Sequence, residues 1–181
     1  TGVGCVTDGS IANEIAIASG GAHVDQYQCA GASFATGGIH IEDTLRTAAQ
    51  RGDLNPQTKN VVIVAGANDT YPYGSDVAAS ERAIRSGLRN AISVAHHHSP
   101  NAKVIVVGYP HVSFNNMSCY NSGLGSSNPL PIPAGSTAGT EQRLQNTLRE
   151  VTQKNNATFL DAWPMSQGHD ACSPDRWWVN L

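Results

Sequence analysis

The sequence predicts an α/β protein with a mainly parallel sheet, and three observations carry that reading. The strongest apolar run, Val61-Val62-Ile63-Val64-Ala65, is rich in β-branched residues and stops at Gly66, the pattern of a buried strand ending in a turn. A second such run, Val104-Ile105-Val106-Val107, stops at Gly108. Helical patterns of ten or more residues alternate with these runs, which implies βαβ units.

The elements follow in order. Ile11 to Ser19 reads as a helix ended by Gly20-Gly21, with Asp8-Gly9-Ser10 as its cap. Ala22 to Cys29 reads as a strand anchored by Val24 and Tyr27, and Glu42 to Arg51 as a short helix. Lys59 to Ala65 is the central strand. Asp76 to His98 is a long helix, with Ile84, Leu88, Ile92 and Ala95 at helical spacing on one face. Lys103 to Gly108 is another strand. Asn115 to Gly139, rich in Gly, Ser, Asn and Pro, is a long loop. It is either a lid or substrate-side wall, or a solvated excursion tied down by Cys119. Glu141 to Lys154 is a helix through Leu144, Leu148 and Val151, and Ala157 to Asp161 is the last strand. No repeat or linker divides the chain, so residues 1–181 read as one domain.

The 181 residues are 40% hydrophobic and only 14% charged, enough for a sizeable core. A net charge of −3, with Lys and Arg scattered, gives no footprint for nucleic acid or an anionic membrane. No run reaches the ~18 apolar residues that a membrane span needs. The four cysteines, Cys5, Cys29, Cys119 and Cys172, form no Cys-x-x-Cys pair. Widely spaced cysteines with low charge suit a secreted protein with two disulfides, the alternative being four buried thiols.

The function-bearing motif is Gly66-Ala67-Asn68-Asp69, at the carboxyl end of the central strand, where open α/β sheets bind ligands. An Asn there can aim a side-chain N–H at a developing oxyanion. The same four residues also make an ordinary Asx turn. Three further stretches accompany it: Cys29-Ala30-Gly31-Ala32-Ser33, then Gly108-Tyr109-Pro110, and Gly168-His169-Asp170-Ala171-Cys172 followed by Trp177-Trp178-Val179. In this order, over nearly the whole chain, they resemble the SGNH (GDSL-type) hydrolases, in particular secreted actinobacterial esterases and lipases.

The resemblance implies a three-layer α/β/α sandwich of flavodoxin-like topology. It implies disulfides Cys5–Cys29 and Cys119–Cys172, and it makes the backbone N–H of Gly31 and the amide of Asn68 the oxyanion donors. Asp69 then holds the turn by accepting backbone N–H groups. Two departures stand beside the match. The Gly-Asp-Ser block that carries the family's nucleophile has no counterpart between Thr1 and Leu181, nor has the Asp-x-x-His block that carries its base. The expectation is a domain incomplete at both ends, its sheet completed by a second peptide or another copy of the chain.

Fallback residues exist for both roles. Ser10, in Asp8-Gly9-Ser10, precedes a helix as a nucleophile does, but no apolar strand leads into it and it reads as a cap. Ser33, in Gly31-Ala32-Ser33-Phe34-Ala35, approximates a nucleophile elbow without its last glycine. His169 is the fallback base, although its context precedes the family's catalytic histidine. Asp161 reads as a turn residue. His96-His97-His98 point in different directions from one helix end, so they are a poor metal site, and no metal or other cofactor is expected. Trp163, Trp177 and Trp178 supply apolar area for an acyl pocket or for the core.

The expected function is therefore a secreted carboxylic ester hydrolase, an esterase or lipase, working through an acyl-serine intermediate on a small ester, a lipid or an acylated carbohydrate. The alternative is a non-catalytic module that keeps the oxyanion turn as scaffold and binds carbohydrate or acyl chains.

Overall fold

A computed structural model describes residues 10–70, 76–115, 117–118, 132–133 and 137–175. In chain order the elements are α1 (Ser10–Ala18), α2 (Ile41–Arg51), β1 (Asn60–Ile63), a single 3-10 turn (Ala67–Thr70), α3 (Val77–His98), β2 (Lys103–Val107), β3 (Ser113–Phe114), β4 (Met117–Ser118), β5 (Ile132–Pro133), α4 (Thr137–Lys154) and β6 (Thr158–Leu160). The α/β architecture is the expected one. β1, β2 and β6 form a parallel sheet in that order, with Val61 opposite Val104 and Val106 opposite Phe159.

Strand alternation separates the two faces of this sheet. Val61, Ile63, Ala65, Val104 and Val106 are buried on one face. They join Ala48 of α2, Ile84, Leu88, Ile92 and Ala95 of α3, and Leu144, Leu148 and Val151 of α4 in one core. The four residues expected on the buried face of α3 are all there. On the other face, Val62, Val64 and Leu160 remain 40%, 42% and 46% exposed.

Helix ends follow local chemistry. The Asp76 carboxylate accepts the Ala79 N–H at 2.9 Å and caps α3. Gly52, at φ +85°, closes α2 by donating its N–H to the carbonyls of the last turn.

Three expectations need correction. Ala22 to Cys29 is not a strand, because no described strand lies alongside to pair with it. It is held instead through Tyr27, whose ring packs against the core beside the Arg51 guanidinium and whose hydroxyl donates to Asp53. The stretch from 115 to 139 is not all loop, since it contains β4 and β5, and β4 pairs with both β5 and the preceding β3 in a small antiparallel sheet. Finally, α4 begins at Thr137, one turn before the expected Glu141, a start that the weak helix propensity of Thr and Gly conceals in the sequence.

Cys29 and Cys172 carry no free thiol. Their expected partners Cys5 and Cys119 lie outside the described residues, as do Trp177 and Trp178.

The tightest helix contact sits at Gly87 of α3. A Cβ there would lie 2.5 Å from the carbonyl oxygen of Phe34 and 2.7 Å from its Cβ. Backbone cannot yield as a flexible side chain can. Gly87→Ala is expected to destabilise the fold by roughly 1–3 kcal/mol, read from the urea midpoint. An unchanged midpoint would show that α3 and the Phe34 loop do not touch as described.

Candidate active site

The site is built where β1 runs out. Gly66 has φ +120°, a conformation suited to glycine, and a Cβ would meet Leu144 Cδ1 at 3.0 Å and the Phe34 ring at 3.2 Å. The chain then coils into the 3-10 turn, closed by Asp69 N–H to Gly66 O at 3.1 Å and Thr70 Oγ1 to Ala67 O at 2.7 Å.

Opposite this turn lies the 29–36 loop, and the side chains of Asn68, Asp69 and Thr36 join them. Asn68 Nδ2 donates to Ala32 O at 2.9 Å. Asp69 is fully buried, and its carboxylate accepts the N–H groups of Phe34 at 2.8 Å and Ala35 at 2.9 Å, with Thr36 Oγ1 at 3.1 Å. Ser80 of α3 donates to the Asp69 carbonyl at 2.9 Å. A buried carboxylate is tolerated here because it is multiply hydrogen-bonded. The Asp69 anchor thus reaches across to a second loop.

The site residues named from sequence fall into two groups. Asn68 bonds to the carbonyl of Ala32, the residue that follows Gly31. Gly31 has φ +80°, with open space where a Cβ would stand, so backbone conformation rather than crowding calls for glycine. Ser33 is fully buried; its hydroxyl donates to Thr36 O and accepts the Thr36 N–H, which closes it within its own loop. Ser10 stands in the first turn of α1. His169 lies on the segment after β6, its Nδ1 2.6 Å from Asp175 O and 3.3 Å from Asp175 Oδ2.

The carboxyl end of β2 lies beside this turn, and that of β6 beside β2. Gln145 of α4 is 1% exposed and donates through Nε2 to Tyr109 O at 3.3 Å and Asp161 Oδ1 at 3.0 Å. The Ala67 N–H donates to Tyr109 Oη at 3.3 Å. His111 stacks on Trp163 with ring centroids 4.3 Å apart. Thr36, Ser80 and Gln145 escape sequence reading, since each acts through a contact distant along the chain. For Tyr109 the Gly-Tyr-Pro motif is a signal.

Two carboxylates near these loops are displaced in opposite directions. Burial pushes Glu141 up, against the Ser113 hydroxyl and N–H that it accepts, and Asp170 pushes it the same way. Partial burial opposes ionisation of Asp161 too, but the Trp163 N–H and the Arg149 guanidinium, 2.5 Å away, outweigh it and hold the carboxyl below its ordinary value. A depressed carboxylate contributes stability that is present above about pH 4 and lost as pH falls through its folded pKa. Arg149→Met should therefore flatten the decline of thermal midpoint below about pH 4. An acid limb identical to wild type would contradict the Asp161 contact.

His96 Nε2 lies 3.1 Å from Asn156 O, and the rings of His97 and His98 meet edge to face at 4.8 Å. Among the described residues no three His, Cys, Asp or Glu side chains are grouped to hold a metal ion, and no helix is long and apolar enough to cross a membrane.

These features define an α/β domain whose candidate site is two joined turns at the carboxyl end of a parallel sheet. The chain belongs to the GDSL-like lipase/acylhydrolase family, whose model matches residues 8–180. It is 28% identical over 98 residues to lipase 2 of Streptomyces coelicolor, a match covering 51% of this chain and 31% of that one, so the aligned stretch spans under a third of that relative. The fold is similar to phospholipase A1 from Streptomyces albidoflavus, with TM-score 0.63 and 21% identity over 99% of this chain and 84% of that chain. It is also similar to an extracellular lipase from Streptomyces rimosus, with TM-score 0.55 and 18% identity over 84% of this chain and 66% of that chain.

Proposed function

We propose that this chain forms the oxyanion side of a secreted carboxylic ester hydrolase. The observation that carries the reading is the juncture of the Gly31 loop and the Asn68 turn, made by Asn68 Nδ2 to Ala32 O and by the Asp69 carboxylate. An amide nitrogen carries two hydrogens. One goes to Ala32 O, and the second serves, with the Gly31 N–H, the negative oxygen of a tetrahedral intermediate. The reaction is attack of a serine on the ester carbonyl, collapse to an acyl-serine with loss of the alcohol, and hydrolysis of that acyl-enzyme by water.

The substrate is a small ester, a lipid or an acylated carbohydrate. Membership of a lipase/acylhydrolase family and likeness to a phospholipase and a lipase support this class. Secretion is supported by the absence of a free thiol at Cys29 and Cys172, which we assign to the pairs Cys5–Cys29 and Cys119–Cys172. β1 is at the edge of the described sheet, which gives a strand from a second peptide or another copy of the chain a place to pair.

The test is the intact mass of the purified protein after exposure to a serine-reactive fluorophosphonate. The reading predicts a single adduct, and the labelled peptide then identifies the nucleophile. Intact protein without an adduct would overturn the enzyme and leave a module that binds acyl chains or carbohydrate.

A further inference from the structure

We infer that Tyr109 is a positioning residue for the Asn68 amide, an inference that rests on the oxyanion role proposed for Asn68. The first N–H of a helical turn has no partner within the turn. In the 3-10 turn that carries Asn68, that group belongs to Ala67, and it donates to Tyr109 Oη at 3.3 Å. The tyrosine hydroxyl therefore caps the turn one residue before the amide.

Tyr109 is itself held from behind. Its carbonyl accepts from Gln145 Nε2, and the preceding Gly108 lies so close to Gln145 that a Cβ would stand 2.4 Å from Oε1. Gln145 is buried in α4 and also holds Asp161 beyond β6. A continuous series of contacts thus runs from α4 through the end of β2 to the end of β1. Asp69 fixes the far side of the same turn against the 29–36 loop. The amide of Asn68 is held between the two.

Removing the hydroxyl loosens the turn without emptying the ring's place. A small misplacement of a donor is felt mainly in the transition state, where the developing oxyanion is the group it serves. Tyr109→Phe should lower kcat for p-nitrophenyl butyrate roughly tenfold with KM little changed, and should lower the melting temperature slightly, because the partly buried Ala67 N–H loses its acceptor. In an Asn68→Ala background the same substitution should have no further effect, because the donor it positions is gone. A purely structural tyrosine would give the same fractional loss in both backgrounds. That result, or an active wild type unaffected by Tyr109→Phe, overturns the inference alone. A wild type that takes up the fluorophosphonate yet hydrolyses no ester overturns the oxyanion reading and this inference with it.

Discussion

Replacing Asp69 with alanine should cost about 3 kcal/mol of folding stability or more, and should abolish any esterase activity in what remains folded. Two N–H groups, of Phe34 and Ala35, lose their acceptor, and each such orphan costs about 1–3 kcal/mol when buried. Thr36 has a fallback, because its hydroxyl also lies 3.3 Å from Asn68 O. Asp69→Asn keeps the volume but places an NH2 group against an N–H donor, so it should recover only part of the loss. Chemical denaturation of the three proteins checks this. An alanine variant as stable as wild type would mean that Asp69 does not fasten the two loops.

The second large effect is chemical. Asn68→Ala removes a donor from the proposed oxyanion site, and loss of one such donor typically lowers kcat about 10²–10³-fold. The substitution also removes the contact to Ala32 O, worth about 1 kcal/mol of stability, so the fold should survive it. KM should change little, since the charge on the carbonyl oxygen develops only in the transition state. Asn68→Asp, which keeps an oxygen but no N–H, should be as impaired as alanine.

What the sequence conveyed and what it did not divide along a physical line. β1, β2 and α3 were legible because their signals are local: a β-branched run stopped by glycine, and apolar residues at helical spacing after a capping Asp76. The region from 22 to 29 misleads because a strand exists only with a neighbour, and Val24 and Tyr27 cannot reveal whether one is present. β3, β4 and β5 are two residues each, too short to leave a period in a stretch of Gly, Ser and Asn. The first turn of α4, Thr137-Ala138-Gly139-Thr140, holds a glycine and two threonines, weak helix formers that leave no helical signal. At the site, Gly31 and Asn68 were found by motif. The groups that hold them, the Phe34 and Ala35 amides, Ser80, Tyr109 and Gln145, meet through contacts between residues 11 to 42 positions apart, and no spacing in the sequence encodes such meetings.

The most direct measurement is the rate of p-nitrophenyl butyrate hydrolysis by wild-type protein that takes up the fluorophosphonate and by its Asn68→Ala variant, with folding of both confirmed by circular dichroism. An active wild type and a variant about 10²–10³-fold lower in kcat, at similar KM, is the expected result. A folded Asn68→Ala protein that turns over as fast as wild type would contradict the oxyanion site at the end of β1.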